Sequence, residues 1–301
     1  MKLASLPFIL CAFAGCFHSA IERFDARGYI NKDYAYRVLG PAPSLLGGDW
    51  IVDNFYESKG RWREKDGPAY RIQYEFDTDG DGSLDTKREL PLYDLRFKHR
   101  RHNASVWLRA TPFSTEWRER ELRVLVQAYV DSIAGGGYEA ARVEHDRVRV
   151  EERRFAAEFV ERAPARLAGL DAYDATIDVA NLDQIRLTPT ERKTRVRLVF
   201  VNLPTNFQTY RNGAPGVALP LVLIVGYANS PGEFSADMND FENLLDRIEI
   251  QGNRGYSRQA PAPGVAATPP PVSVPADSAV PSSVSSPQAA PSGEAPPITA
   301  P

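Results

Sequence analysis

Alternating apolar and polar residues predict β-strands through the middle of the chain. Apolar side chains recur at every second position in segments 72–76, 173–179 and 196–200, with polar residues between them. A strand with one polar face is typical of an antiparallel sheet with water on one side, so we expect such a sheet. Residues 219–228 are apolar almost throughout and predict a central strand, with Pro220 near its start. The polar residues of these strands include Asp174, Thr176, Asp178, Arg195 and Arg197.

Two segments carry apolar residues at the helical spacing of three and four positions. The first begins at Leu122, with Ser114 or Thr115 expected to cap its start and glycines 135–137 to end it. Its apolar positions are Leu122, Leu125, Val126, Tyr129, Val130 and Ile133. The second begins at about Asp237 and should bury Met238, Phe241, Leu244, Leu245 and Ile248. Strands, a helix, more strands and a final helix predict a single α+β domain over residues 29–256.

The two ends of the chain differ from this domain. Residues 3–13 are apolar apart from Ser5, yet eleven helical residues rise only about 16 Å, about half of a bilayer core. Residues 1–15 therefore have the pattern of a signal peptide, and residues 16–28 are a linker. Twelve of the 42 residues after Gln259 are proline, and none is aromatic. We expect a Pro-, Ala- and Ser-rich disordered tail over residues 257–301.

The signal peptide ends in Phe13-Ala14-Gly15-Cys16, which resembles the lipobox of bacterial lipoproteins. The resemblance implies cleavage before Cys16 and attachment of acyl chains such as palmitate to it, although Phe13 stands where that family usually has leucine. Cys11 leaves with the signal, so the mature chain has no second thiol for a disulfide. Phe17, and not aspartate, follows the cysteine, which in that family favours the outer membrane, facing the periplasm or the cell surface. An ordinary secretory signal is the alternative.

Residues 166–173 resemble a turn of PsbP-like domains, and the segment from Tyr227 through Phe234 to residues 240–248 resembles the closing strand and helix of that fold. The resemblance implies an antiparallel sheet flanked by helices. It also implies a family that includes bacterial lipoproteins and extrinsic subunits of membrane complexes. That family shares no catalytic residues, so the resemblance assigns none to this chain.

A second resemblance leads to an alternative function. Gly48-Asp49-Trp50 matches the sequence that opens lipocalins, which implies a carrier of an apolar ligand. Lipocalins have eight strands before their helix, whereas three or four are predicted here before Leu122.

Charge and missing motifs exclude several classes of protein. Thirty-six lysines and arginines stand against 39 acidic residues, so the chain has no general excess of positive charge for nucleic acid. The nucleophile elbow, the phosphate-binding loop and the zinc-protease motif are all absent from the sequence. We therefore expect a membrane-anchored, non-catalytic binding or accessory module with another envelope protein as partner. An unrecognised hydrolase is the remaining alternative. A cleft with a buried carboxylate or histidine would favour the hydrolase, whereas an apolar pocket would favour the carrier.

Residues 77–85 have the spacing of an EF-hand-type calcium loop, because carboxylates alternate and Gly82 allows a sharp turn. The twelfth position is Arg88 instead of glutamate, and the flanking residues predict a hairpin, so we expect one weakly bound calcium ion. An acidic hairpin turn without metal is the alternative. The candidate ligands are Asp77, Asp79, Asp81, Ser83, Asp85 and Glu89.

A basic segment follows this hairpin. On a strand, Arg96, Lys98 and Arg100 share one face, which could contact anionic lipid headgroups or form ion pairs with the nearby acidic residues. His99 and His102 should then point to opposite faces, which makes them a poor pair of metal ligands.

Overall fold

Antiparallel strands form most of the part of the chain that the structure describes. The computed structural model describes residues 22–25, 27–40, 45–54, 57–58, 61–62, 70–77, 83–135, 137–144, 147–182, 189–211 and 213–259, all within one compact unit. The strands of these residues are β1 (Glu22–Asp25), β2 (Gly28–Asn31), β3 (Tyr36–Leu39), β4 (Trp50–Val52), β5 (Glu57–Ser58), β6 (Arg61–Trp62), β7 (Tyr70–Phe76), β8 (Thr86–Pro91), β9 (Leu95–His99), β10 (Ser105–Pro112), β11 (Gly137–Glu144), β12 (Arg147–Leu167), β13 (Leu170–Leu182), β14 (Pro189–Arg211), β15 (Ala214–Asn229), β16 (Ile248–Ile250), β17 (Asn253–Arg254) and β18 (Tyr256–Arg258). The helices are α1 (Leu122–Gly135), α2 (Met238–Arg247) and a 3-10 turn at Thr115–Trp117.

The described strands form a large sheet, a small sheet and a separate β5–β6 hairpin. The large sheet has the order β4-β9-β10-β15-β14-β13-β12-β11-β7-β8, with β18 added to β12, and the small sheet has the order β1-β2-β3-β16-β17. Neighbouring strands are antiparallel, which confirms the predicted sheet type. The predicted central strand is also confirmed, because β15 lies between β10 and β14.

Both faces of the large sheet are covered at its centre. On one face, α1 packs its apolar stripe against alternate residues of β13, β14 and β15, such as Phe200 and Ile224. On the other face, the small sheet and α2 bury the intervening residues, such as Val199 and Val225. The prediction that water covers one face is therefore wrong for this part of the sheet.

Two of the polar residues predicted to face water, Asp174 and Arg197, lie buried under α2 as an ion pair. Asp174 is 0% exposed and Arg197 is 6% exposed. Arg197 donates from Nη2 to Asp174 at 2.8 Å, from Nη1 to Glu242 of α2 at 2.8 Å and from Nη2 to the hydroxyl of Tyr256 at 3.0 Å. Burial alone lowers the pKa of Arg197, but its hydrogen bond and attraction to Asp174 outweigh burial and raise it. The pair thus links α2 and β18 to the sheet.

The helices agree with the sequence in extent but differ at one end. The apolar stripe of α1 is helical, and α2 follows Asp237 as predicted, but Ile248, predicted for the buried face of this second helix, is extended and begins β16. The predicted cap of α1 is wrong, because Ser114 precedes the separate 3-10 turn and makes no side-chain capping bond, while α1 begins at Leu122. Ten strands of the described residues precede α1, and not three or four, because many have only two to four residues and carry little pattern.

The predicted signal peptide, the lipidation site Cys16 and residues 260–301 of the predicted tail lie outside the described residues. Residues 257 and 258 of that predicted tail belong instead to β18, and residues 22–25 of the predicted linker form β1. Among the residues described, neither helix has the length and apolar character needed to cross a bilayer.

Candidate functional site

Two histidines meet where β9 ends and the chain turns into β10. His99 is the last residue of β9, and its backbone N–H donates to the carbonyl of Ala104 at 3.0 Å. Its Nδ1 accepts backbone N–H groups of Arg101 at 3.3 Å and His102 at 2.9 Å. The two imidazole rings are stacked, with centroids 4.3 Å apart and planes inclined by 22°. The prediction that they point to opposite faces is wrong because the strand ends at His99.

Both rings face the buried carboxylate of Asp237, the residue before α2. His102 Nδ1 donates to Asp237 Oδ2 at 2.9 Å, and His99 Nε2 lies 4.0 Å from Asp237 Oδ1. Asp237 is 8% exposed and does not cap its own helix through its side chain. The hydrogen bond to Asp237 raises the pKa of His102, although desolvation acts in the opposite direction.

A cavity of about 380 Å³ opens beside these three residues. We call it the histidine pocket; residues 46–50, His99, Arg101, His102, Asp237 and Asp240 line it. Trp50 closes one side, with its edge against His99 and its Nε1 donating to Asp240 Oδ2 at 2.9 Å. At the opening, Arg101 Nε lies 3.5 Å from Asp49 Oδ1. Three separate segments of the chain thus bring charged and polar groups to one concave surface.

The spacing of His99, His102 and Asp237 alone would allow a metal ion, because their donor atoms all lie within 4.8 Å of one another. The hydrogen bonds argue against it. A neutral imidazole carries one N–H, and Nδ1 of His99 is occupied as an acceptor, so its hydrogen lies on Nε2 and leaves no lone pair there. Stacked rings also cannot both direct an in-plane lone pair at one ion. The cluster therefore fits hydrogen-bond donation to Asp237 better than metal coordination.

The predicted calcium loop lies in the expected hairpin. β7 and β8 pair from Arg71–Pro91 to Phe76–Thr86, so residues 77–85 connect them. Asp77, Ser83 and Asp85 belong to the described residues, whereas Asp79 and Asp81 lie outside them. Glu89 pairs with Gln73, three positions or about 10 Å along the strand from the loop, and its carboxylate lies 4.0 Å from Arg71. The structure therefore does not bring Glu89 to the other candidate ligands.

The three predicted basic residues lie along β9 and the turn that follows it. Arg96 pairs with Asp53 at 3.2 Å and lies over the rings of Tyr93 and Tyr70, at 5.1 and 5.5 Å from their centroids. Lys98 is exposed on the same face of β9, and Arg100 is exposed just after the strand ends. Arg96 thus has the local ion pair that the sequence offered as the alternative to a lipid contact.

Sequence reasoning missed a buried carboxyl group between the two sheets. Asp94, between β8 and β9, is 1% exposed; its Oδ2 accepts the hydroxyl of Tyr36 at 2.6 Å and the backbone N–H of Ala110 at 2.8 Å. Burial raises the pKa of Asp94 to about 7, and the two hydrogen bonds limit the rise. No spacing or motif around Asp94 indicates this burial.

No protein-family model and no curated protein matches this sequence. The solution structure of cyanobacterial PsbP (CyanoP) from Synechocystis sp. PCC 6803 is similar to this chain at 12% sequence identity and a TM-score of 0.33. The match covers 80% of this chain and 98% of that one. It carries the name of the family that residues 166–173 and 240–248 resemble, but a likeness of this size supports no conclusion about function.

Proposed function

We propose that the protein is a lipid-anchored, non-catalytic binding or accessory module of the cell envelope, with the histidine pocket as its binding site. The pocket carries this proposal. Its volume of about 380 Å³ falls within the range usual for ligand sites, roughly 300–1,000 Å³. Its charged lining favours a polar group of a ligand or partner protein, so it gives no support to the lipocalin-like alternative of an apolar carrier.

The lipobox sequence supports the membrane anchor. Two or three acyl chains on Cys16 would hold the protein firmly, at about 0.8 kcal/mol for each buried CH2 group. The six residues from Cys16 to the start of β1 at Glu22 can span at most about 20 Å. The domain would therefore remain close to the membrane surface, where another envelope protein could reach it.

Cell fractionation tests the anchor. We expect the full-length protein in the membrane fraction, with labelled palmitate attached, and the Cys16→Ser variant in the soluble fraction without label. If the wild-type protein takes up no palmitate, or if the variant remains in the membrane to the same extent, the anchor is not at Cys16.

Site-directed crosslinking tests the pocket as a binding site. Position 48 lies at its edge, and a side chain added at Gly48 meets no atom within 4 Å. A photoreactive amino acid there should crosslink one envelope protein, whereas the same group at Glu119, exposed between the 3-10 turn and α1, should not. Equal crosslinking from both positions, or none from either, contradicts the proposal.

One observation favours the hydrolase as a second candidate. The histidine pocket holds a buried carboxylate and a buried histidine, and the Asp237–His102 pair has the arrangement of a general base held by a carboxylate. No serine, threonine or cysteine lines the described pocket, so water would be the nucleophile. Hydrolysis of p-nitrophenyl acetate should then fall in the His102→Gln variant, and equal rates would reject this candidate.

Two further features belong to the same proposal. The turn at Ala168–Gly169 and the order of β15 and α2 support a PsbP-like architecture, because they lie where the resemblance requires them. A calcium ion that stabilises the β7–β8 loop is supported by the alternating carboxylates of residues 77–85, which would repel one another without a cation.

A further inference from the structure

One wall of the histidine pocket is the β9–β10 turn, residues 100–104, and the opposite wall is the start of α2. Inside the turn, His99 Nδ1 accepts two backbone N–H groups and so fixes its shape. Across the pocket, the hydrogen bond between His102 and Asp237 joins residues 135 positions apart. The contact of His102 with Asp237 therefore holds the two walls together.

We propose that protonation of His102 regulates the histidine pocket: the imidazolium ion holds the β9–β10 turn against the start of α2, and deprotonation loosens this wall. The inference rests on the proposed function only in treating the pocket as a binding site. The hydrogen bond between His102 and Asp237, which we call the clamp, follows from the geometry of these two residues.

The charges around His102 favour the imidazolium ion. Asp237 is the direct acceptor, and Glu233, which precedes α2, adds negative charge. Arg101 opposes protonation, but its guanidinium group lies beside Asp49. On the remaining sides, His99 presents the face of its ring, and Asp240 accepts the indole N–H of Trp50. The net result is a pKa of His102 above its ordinary value, so the imidazolium ion persists closer to neutral pH.

Loss of the proton weakens the clamp without breaking it. A neutral imidazole still donates its Nδ1–H to the carboxylate of Asp237, but the bond is stronger when the donor is also charged, because an ion pair then adds to the hydrogen bond. The side chain of His102 is 38% exposed, which screens the charge, whereas Asp237 is buried. We therefore expect the opening equilibrium of the turn to increase by about five-fold when His102 loses its proton.

Amide hydrogen exchange on the full-length protein in detergent micelles tests this inference. The informative amides are those of Arg101 and His102, because both donate to His99 inside the turn. After correction for intrinsic exchange rates, their protection should fall by about five-fold between pH 6 and pH 8. The His102→Gln variant, which keeps a donor but cannot be protonated, and the Asp237→Asn variant should show no such change.

The inference is overturned if wild-type protection is equal at the two pH values, or if the His102→Gln variant changes as much as the wild type. Either outcome leaves crosslinking from position 48 unaffected, so failure of the clamp is distinguishable from failure of the binding site. Conversely, a pH-dependent turn without any crosslink would leave the clamp in place and reject the proposed function.

Discussion

Replacing Asp94 with asparagine should remove a large part of the dependence of stability on pH. Asp94 lies in the core, where the hydroxyl of Tyr36 and the backbone N–H of Ala110 donate to its side chain and where burial disfavours the charged carboxylate. The protonated acid is therefore the form that the fold favours. Asparagine has the same shape, stays neutral and keeps an oxygen that can accept both hydrogen bonds.

The sign and the magnitude follow from the two pKa values. In the unfolded chain the pKa of Asp94 is 3.8, and in the folded protein it is about 7. The stabilisation from the protonated form is complete below pH 3.8 and is lost as the pH rises through 7. The difference between these two pKa values corresponds to an upper limit of about 4 kcal/mol in the free energy of unfolding. The ionisation of Asp94 should thus lower the free energy of unfolding by up to about 4 kcal/mol between pH 4 and pH 8.

Urea unfolding between pH 4 and pH 8 measures the effect. At pH 8 the Asp94→Asn variant should be more stable than the wild type, and near pH 4 the two should be nearly equal. The Asp171→Asn variant is the matched control, because that side chain is 90% exposed and its change should leave the pH profile as in the wild type. Parallel profiles for the wild type and the Asp94→Asn variant would refute the reasoning.

Three further predictions concern packing, calcium and the tail. A Cβ added at Gly226 would lie 2.3 Å from ring atoms of Trp107, so Gly226→Ala should lower the free energy of unfolding by about 2 kcal/mol or more. Gly232→Ala is the control, because a Cβ at Gly232 meets no atom within 4 Å and should leave the free energy of unfolding unchanged. Millimolar calcium should raise the melting temperature of the wild type relative to chelator, and Asp77→Asn should reduce that rise; no shift in the wild type would leave a simple acidic turn. Truncation after Gln259 should leave the melting temperature unchanged, and a large decrease would show that the tail packs on the domain.

The sequence correctly predicts elements whose apolar residues are buried in the protein core. The stripe of α2 and the apolar run of β15 both specify burial directly, and both are confirmed. Asp174 and Arg197 were predicted to face water because alternation cannot distinguish an exposed polar residue from a buried and paired one. Their partners include Tyr256, which is 82 positions from Asp174, so only the folded chain reveals the pairing.

The site was missed for a different reason. The spacing of His99 and His102 predicts opposite faces only on a continuous strand, but the four polar residues Arg100 to Asn103 between two alternating segments are a typical hairpin connection. That signal, if used, would have placed both histidines at a turn. The sequence still does not show that both histidines lie beside Asp237. That contact requires α2 to begin next to this turn, which depends on the packing of α2 against the large sheet.

The same packing determines which wall of the histidine pocket can move. α2 buries Phe241, Leu244 and Leu245 and is joined to the sheet through Glu242 and Arg197, all independent of His102. The β9–β10 turn, in contrast, is joined to the start of α2 by the side-chain hydrogen bond between His102 and Asp237. Exchange of amides 244–247 should therefore be equal at pH 6 and pH 8 after intrinsic correction, while that of the turn changes. If the α2 amides lose protection in parallel with the turn, the pH change acts on the whole layer and not on the clamp.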